Sequence, residues 1–433
     1  VSVTAPIITR PVPTARQQEF QDWELGLFLH FGIRTFYEGH RDWDGKGMPP
    51  VGFNPTELDC RQWMQVCKDA GVKYSVLTAK HHDGFANWPS AYTPYSVKNA
   101  AWQEGKGDVV REYVDACAEF GIKPGIYYSP AQADGLSGLP ADVSMKDSGN
   151  YDDYFINQVS ELLDGRYGKI DCLWFDGCGS EGHNYDWKRI TGEIRKMQPE
   201  ILIFNMGDPD YRWCGNEEGY TGLDNTNVVS AVDFSIMTDK KDDLGSSTPK
   251  WLPVECDMRM RQRNWFYSEN DVHTVKTLPQ LMDIYDMSVG RGANMLINIG
   301  PDRRGKLPEC DSRALIAMGN AVQAREAKPF ATLADFEVQE DGKSWICYNQ
   351  RNTHSPCNLI VIQEDLTDGE AAKRFSIDIN GFEKGRYVSM HQGCTIGHKQ
   401  IIRLPEFHAS TIRLRIIESD GPVKLRSLNL HHV

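Results

Sequence analysis

Residues 170–177, Ile170-Asp171-Cys172-Leu173-Trp174-Phe175-Asp176-Gly177, set the reading of the whole chain. Four apolar residues in a row, Cys172 to Phe175, run into a carboxylate, and glycine follows at once. A short apolar run of this kind reads as a strand buried on both faces, as in a parallel sheet. Asp176 then stands at the C-terminal lip, the end of a barrel strand where catalytic groups collect. Taken alone, the same aspartate also fits a turn or a helix cap, so its surroundings must decide.

Outward from this stretch, similar strand signals recur at residues 25–33, 72–79, 122–129, 201–206, 254–256 and 293–299. Between them, helical spacing marks 55–70, 108–120, 154–163, 187–197 and 278–289. One helix precedes the first strand at 15–23, and another follows the last at about 311–325. Strand and helix alternating over some 300 residues predicts an α/β protein with a (β/α)8-type TIM barrel. The rival is a doubly wound open sheet, but no GxGxxG follows a strand. Residues 207–255 are less regular. Beyond Lys328 the period changes to short, often alternating runs at 345–348, 359–362, 375–379, 401–404 and 411–416, separated by Gly, Asn and Asp. That pattern predicts a C-terminal all-β sandwich. The expected division is a catalytic barrel with an N-terminal arm over 1–328 and a sandwich over 329–433.

The chain has 433 residues, enough for a large core and a second domain. With 47 Lys plus Arg against 60 Asp plus Glu, its net charge of −13 disfavours a nucleic-acid partner, and no dense basic run overrides it. No apolar run is long enough to span a membrane. Eleven cysteines without a CxxC pair exclude a metal knuckle and any framework that pairs them all within one chain. The chain shows no signal segment and no initiating Met, and the expected location, with a signal already removed, is secreted or periplasmic. Oligomeric state is not legible.

Several polar residues fall toward strand C-termini: His30, His81, His82, Tyr127, Tyr128, Asp176, Asn205 and Glu255. Polar groups converging where a core would exclude them imply a pocket. Phe28, Phe31, Trp43, Phe85, Trp88, Trp174 and Phe175 accompany them, and aromatic faces beside hydrogen-bonding groups suit a sugar ring. No metal and no cofactor is expected: there is no HxH or HExxH, and adjacent His81 and His82 would face opposite sides of a strand. Glycoside hydrolysis needs two carboxyl groups. Asp176 is the first. For the second, the loop Arg212-Trp213-Cys214-Gly215-Asn216-Glu217-Glu218-Gly219 offers adjacent glutamates, and Glu255 is the rival in a more apolar setting.

Together these residues resemble the glycoside hydrolase family 29 α-L-fucosidases. The likeness rests on GLFLHFG (26–32), AKHHDGF (79–85), GIYYSP (125–130), WFDG (174–177), RWCGNEEG (212–219) and ECDMRMR (255–261), and covers about residues 15–325. The last two motifs are similar to the branch that cleaves α1,3- and α1,4-linked fucose. The resemblance implies a retaining exo-hydrolase of terminal α-L-fucose on oligosaccharides or glycoconjugates, with Asp176 as nucleophile and Glu217 as acid/base. It assigns sugar binding to His30, Asp42, Trp43, His81, His82, Trp174 and Arg212, and to the phenol of Tyr127 or Tyr128, with Tyr128 the choice. Two departures stand out: Arg41-Asp42-Trp43 where the family usually has Glu-Trp, and Ala131-Gln132 in place of Trp-Asp. The second implies an altered aglycone side. Alternatives are an exo-hydrolase of a related sugar such as an α-L-galactoside, and a non-catalytic fucose-binding protein.

Overall fold

The strands β1 (Leu25–Leu29) and β2 (Tyr74–Lys80) are buried at every position. That is the burial expected of a strand with side chains packed over both faces. The computed structural model describes residues 10–38, 47–132, 138–235, 241–244, 248–349, 355–380 and 386–433. Asp42 and Trp43, expected at the sugar site, lie outside the described residues.

Six further strands join β1 and β2: β3 (Lys123–Tyr128), β4 (Cys172–Phe175), β5 (Leu202–Phe204), β6 (Arg212–Trp213), β7 (Val254–Arg259) and β8 (Asn294–Asn298). They pair in parallel in the order β5-β4-β3-β2-β1-β8-β7-β6. A parallel bridge between Phe204 and Tyr211 brings β5 to the start of β6 and rounds the sheet into the expected barrel.

Helices α2 (Cys60–Ala70), α3 (Val109–Phe120), α4 (Ser148–Leu163), α5 (Trp187–Met197), α6 (Leu278–Ser288) and α7 (Glu309–Glu326) follow or connect the strands; α1 (Ala15–Trp23) precedes β1. Their ends follow local chemistry. Asp59 and Asp108 cap α2 and α3 through backbone N–H groups, and Gly71 and Gly121 end them with positive φ. Thr14 and Gln17 form a capping box that starts α1. Its Phe20 packs on Tyr74 and Tyr211, with ring centroids 5.6 and 4.4 Å apart, and so plugs the N-terminal end of the barrel.

The alternation breaks twice. No helix joins β5 to β6 or β6 to β7 among the described residues. The second connection instead carries two short antiparallel pairings, Val228–Val229 with Lys250–Trp251 and Ala231–Asp233 with Lys241–Asp243. This is the stretch whose sequence lacked a period.

The C-terminal strands are β9 (Phe336–Val338), β10 (Ser344–Cys347), β11 (Cys357–Glu364), β12 (Ala372–Asn380), β13 (Val388–Gly393), β14 (Gln400–Phe407), β15 (Thr411–Ser419) and β16 (Leu425–His431). They make a five-stranded sheet, β9-β10-β15-β12-β13, and a three-stranded sheet, β14-β11-β16, enclosing a core that includes Trp345, Ile360, Phe375 and Leu428. The sandwich holds the barrel by charge as well as packing. Glu24, between α1 and β1, meets His398 Nε2 at 2.9 Å and Lys399 Nζ at 2.7 Å. Burial pushes the Glu24 carboxyl up, but Lys399 and His398 outweigh it and hold the group at about 2. Glu370 accepts from Thr226 Oγ1 at 2.8 Å and from the Asn227 N–H at 3.0 Å. No helix among the described residues is long and apolar enough to cross a membrane.

Candidate active site

Along a strand, alternate side chains enter the barrel, and that period sorts the candidates. On β3, Tyr127 points in and Tyr128 points out. The Tyr127 hydroxyl donates to Asp176 Oδ2 at 2.8 Å. Tyr128 instead stacks on Phe155 of α4, with centroids 5.1 Å apart, and donates to Gln158 Oε1 at 2.8 Å. The expected assignment of the site phenol to Tyr128 is therefore corrected to Tyr127.

Asp176 follows the last residue of β4 and receives three hydrogen-bonding groups. Besides Tyr127, the Cys178 N–H donates to Oδ1 at 2.9 Å, and His82 Nε2 lies 3.4 Å from Oδ2. Ser129 Oγ donates to the Ala131 carbonyl, so at 2.6 Å it accepts from His82 Nδ1. His82 thus gives Nδ1 to Ser129 and turns Nε2 toward Asp176. Burial pushes the Asp176 carboxyl up, yet the His82 charge and the hydrogen bonds from His82, Cys178 and Tyr127 outweigh it and hold the group below the usual range. The result is a carboxylate that stays ionised.

His81 and His82 both reach the site, although they are adjacent. The expectation of opposite faces fails because β2 ends at Lys80, so strand alternation no longer applies. The two rings are 4.4 Å apart. His81 stacks on Tyr127 at 5.3 Å and 7°, Tyr127 on Trp174 at 5.4 Å and 18°, and Trp174 on Phe204 at 4.1 Å and 12°. The turn after β2 and the strands β3, β4 and β5 thus contribute one column of aromatic planes. His30 directs Nδ1 to Asn298 Oδ1 at 2.8 Å, while Asn298 Nδ2 donates to the Trp265 carbonyl. Burial lowers His30 to about 3 and His81 well below the ordinary histidine range, so both rings are neutral. With Nδ1–H donated, His30 keeps Nε2 as an acceptor.

One ligand atom each from His81, His82 and Asp176 lies within 4.8 Å of the others, a spacing that a metal ion can bridge. On the protein side, Asp176 and His82 are already committed to Tyr127, Cys178 and Ser129.

On β7 the inward column runs Glu255, Asp257, Arg259. Glu255 is 0 % exposed and accepts from Tyr74 OH at 2.6 Å and Trp174 Nε1 at 2.7 Å. Burial raises it to about 7, with the two donors opposing. It belongs to the barrel interior beneath Trp174, which removes it as the rival acid/base. Asp257 accepts from Trp213 Nε1 at 2.7 Å and is pushed well up by burial, then by Cys214 and Glu217. Arg259 lies over Trp265 at 5.2 Å, and its Nη1 is 4.0 Å from Glu217 Oε2. The Glu217 side chain is 32 % exposed, so it can meet a ligand as Glu255 cannot.

Arg212 is also corrected. Its partner on β6, Trp213, takes the inward position, and Arg212 Nη2 points outward to Asn225 Oδ1 at 3.1 Å and the Thr226 carbonyl at 2.8 Å. It holds the connection on which the sandwich rests, not the sugar site. Asn205, at positive φ after β5, likewise serves structure: it donates to the Asp233 carbonyl and accepts from the Trp213 N–H. Residues that sequence reading did not single out include Asn298, Trp265, Arg259 and Asp257. For Asn298, Arg259 and Asp257 the signal was inward phase on β7 and β8, hidden until the register was known; Trp265 lies beyond β7, where no period marks it. A separate cavity of about 440 Å³ at the opposite end of β4 and β5, lined by Leu163, Ile170, Met197 and Pro199 among others, has no part in this chemistry.

A barrel with a carboxylate at a strand's C-terminal end, set among histidines and aromatic planes, has the architecture of a glycoside hydrolase. The model of the α-L-fucosidase family matches residues 49–326. α-L-Fucosidase 1 of Arabidopsis thaliana is 31% identical, over 91% of this chain and 82% of the plant protein. A solved glycoside hydrolase 29 family member from an unknown rumen bacterium is 32% identical, with a TM-score of 0.84 over 97% of this chain and 77% of that one. A Bacteroides thetaiotaomicron structure with 31% identity and a TM-score of 0.84 spans 100% of this chain and 99% of its own. The chain belongs to the α-L-fucosidase family, glycoside hydrolase family 29.

Proposed function

We propose that this protein is a retaining exo-α-L-fucosidase that releases terminal fucose, with α1,3- and α1,4-linked fucose as its preferred substrates. One observation carries the mechanism: Asp176 is kept ionised by His82, Tyr127 and the Cys178 N–H at the C-terminal lip of β4. An anion held below the ordinary carboxylate range suits a nucleophile. It attacks the anomeric carbon while Glu217, on the accessible loop after β6, protonates the departing oxygen. The covalent fucosyl-aspartate is then opened by water, from which Glu217 takes the proton. Neutral His30 and His81 offer hydrogen bonds to sugar hydroxyls. The apolar edge of the ring meets the aromatic column and Trp265.

The linkage preference rests on the likeness of RWCGNEEG and ECDMRMR to the branch that acts on branched glycans. Its test is a panel of α1,2-, α1,3-, α1,4- and α1,6-fucosylated oligosaccharides beside an aryl fucoside, assayed with the native enzyme and Asp176→Ala. Turnover concentrated on α1,3 and α1,4 linkages and lost in the variant supports the reading. Efficient hydrolysis of the aryl compound and of α1,2 linkages overturns the linkage assignment, and turnover by Asp176→Ala overturns the nucleophile.

A further inference from the structure

Cys214 and Cys256 lie side by side next to the loop that carries Glu217. β6 and β7 pair in parallel with Arg212 opposite Val254 and Trp213 opposite Glu255. One residue further, the Cys214 N–H donates to the Glu255 carbonyl at 3.1 Å, which keeps the register and sets Cys214 opposite Cys256. Since Trp213 and Glu255 point into the barrel, both cysteines point out, where Cys214 packs against the small cluster of Val254, Cys256 and Ala293. Neighbouring strands stand about 4.8 Å apart, inside the range of roughly 4.4–6.8 Å that a disulfide accepts between Cα atoms. Both thiols are reduced in this structure.

We propose that Cys214 and Cys256 are a reversible dithiol–disulfide pair that controls the acid/base loop. The two thiols differ in the way such a pair requires. Cys214 is partly exposed. The Cys256 thiol hydrogen-bonded to it, aided by Arg212, holds Cys214 below the usual thiol range despite burial, whereas burial pushes Cys256 up. Cys214 is thus the attacking group and Cys256 the resolving one. The oxidant is a small disulfide such as oxidised glutathione. The Cys214 thiolate attacks one of its sulfurs, forming a mixed disulfide and expelling one glutathione thiolate. Cys256 attacks the Cys214 sulfur and expels the second glutathione as its thiolate, which takes up the Cys256 proton. Two protein thiols are oxidised and one glutathione disulfide is reduced.

The functional consequence rests on the reading of Glu217 as acid/base. In the reduced protein the Cys214 Sγ–H donates to the Asn216 carbonyl at 3.2 Å, and Asn216 Oδ1 accepts from the Glu218 N–H at 3.0 Å, a turn that fixes Glu217 between them. The disulfide removes that thiol donor and frees the turn.

The test is to oxidise the full chain with oxidised glutathione, map its tryptic peptides by mass, and assay it. The expected result is a peptide pair joined through Cys214 and Cys256, lighter by two hydrogens. With it, kcat should fall roughly tenfold to a hundredfold, as for a catalytic group displaced by about 1 Å, with KM nearly constant and full recovery in dithiothreitol. Cys256→Ser should stop at glutathionylated Cys214. Absence of the joined peptides when the exposed Cys310 and Cys394 are fully modified overturns the pair. The mass reading does not depend on catalysis, and Glu217→Gln is assayed beside it: joined peptides with unchanged kcat overturn control of the loop when Glu217→Gln has lost kcat, whereas full kcat in Glu217→Gln means that the Glu217 assignment has failed instead.

Discussion

The Tyr127 hydroxyl stands 2.8 Å from Asp176 Oδ2, and the same oxygen faces His82 Nε2 at 3.4 Å. A phenol and the His82 ring on one carboxylate oxygen, with a backbone N–H on the other, oppose the effect of burial. The pH dependence of hydrolysis follows from that balance.

Asp176 acts as the anion, so the acidic limb of kcat/KM reports its protonation. Its folded value is held below the ordinary one, so activity persists to low pH and falls only as pH drops through that lowered value. His82→Gln removes the largest contribution opposing burial and leaves only Tyr127 and the Cys178 N–H against it, which moves the acidic limb to higher pH. Tyr127→Phe moves it the same way and lowers kcat/KM by roughly tenfold to a hundredfold, the worth of a hydrogen bond to a charged group. Limbs unmoved in both variants would remove these residues from the account.

Glu217→Gln and Glu255→Gln separate the two glutamates. The first should reduce kcat on oligosaccharides by about 10²–10⁴-fold, and less on aryl fucosides, whose leaving group needs little protonation. The second should keep turnover within about tenfold. Glu255 is instead a stability group: its folded value of about 7 lies above the ordinary 4.5, so the native state binds the proton more tightly. Stability is therefore lost as pH rises from about 4.5 to 7, by up to about 3 kcal/mol. Thermal denaturation across that window should show Glu255→Gln less sensitive to pH than the native chain.

Much of the barrel was legible because parallel strands and their helices carry strong periods. Cys172 to Phe175 is β4 as read, and the helix over 187–197 has the bounds its spacing predicts. The misses have physical causes. Arg212–Trp213 is too short to show any alternation, so β6 looked like loop, and no strand phase weighed against the sugar-binding role that the resemblance gave Arg212. Val388–Gly393 is mostly exposed or half-buried and carries no apolar face to betray a strand. Tyr127 and Tyr128 share composition and neighbourhood; only the phase of β3 against β4 separates the one bound to Asp176 from the one packed on α4. The histidine pair failed the other way, since strand alternation was applied past the strand's end.

Tyr128→Phe tests that phase. It removes a buried hydrogen bond to Gln158 and leaves its acceptor unsatisfied, so the protein should lose about 1–3 kcal/mol in denaturant unfolding. Activity per folded molecule should be unchanged. A loss of kcat/KM comparable with that of Tyr127→Phe would reverse the assignment.

The proximity of His81, His82 and Asp176 gives a further check. If these groups serve as proton and hydroxyl partners, prolonged dialysis against a chelator should leave kcat/KM unchanged, and added zinc should inhibit by occupying the nucleophile. Loss of activity on chelation, restored by a divalent ion, would make the cluster a metal centre.

The central claim is that Asp176 forms a covalent bond to fucose and that water then opens it. Proton NMR of an α-L-fucoside during its first turnovers reads this directly, before mutarotation mixes the anomers. Two displacements predict α-L-fucose as the first product; β-L-fucose as the first product would contradict the account.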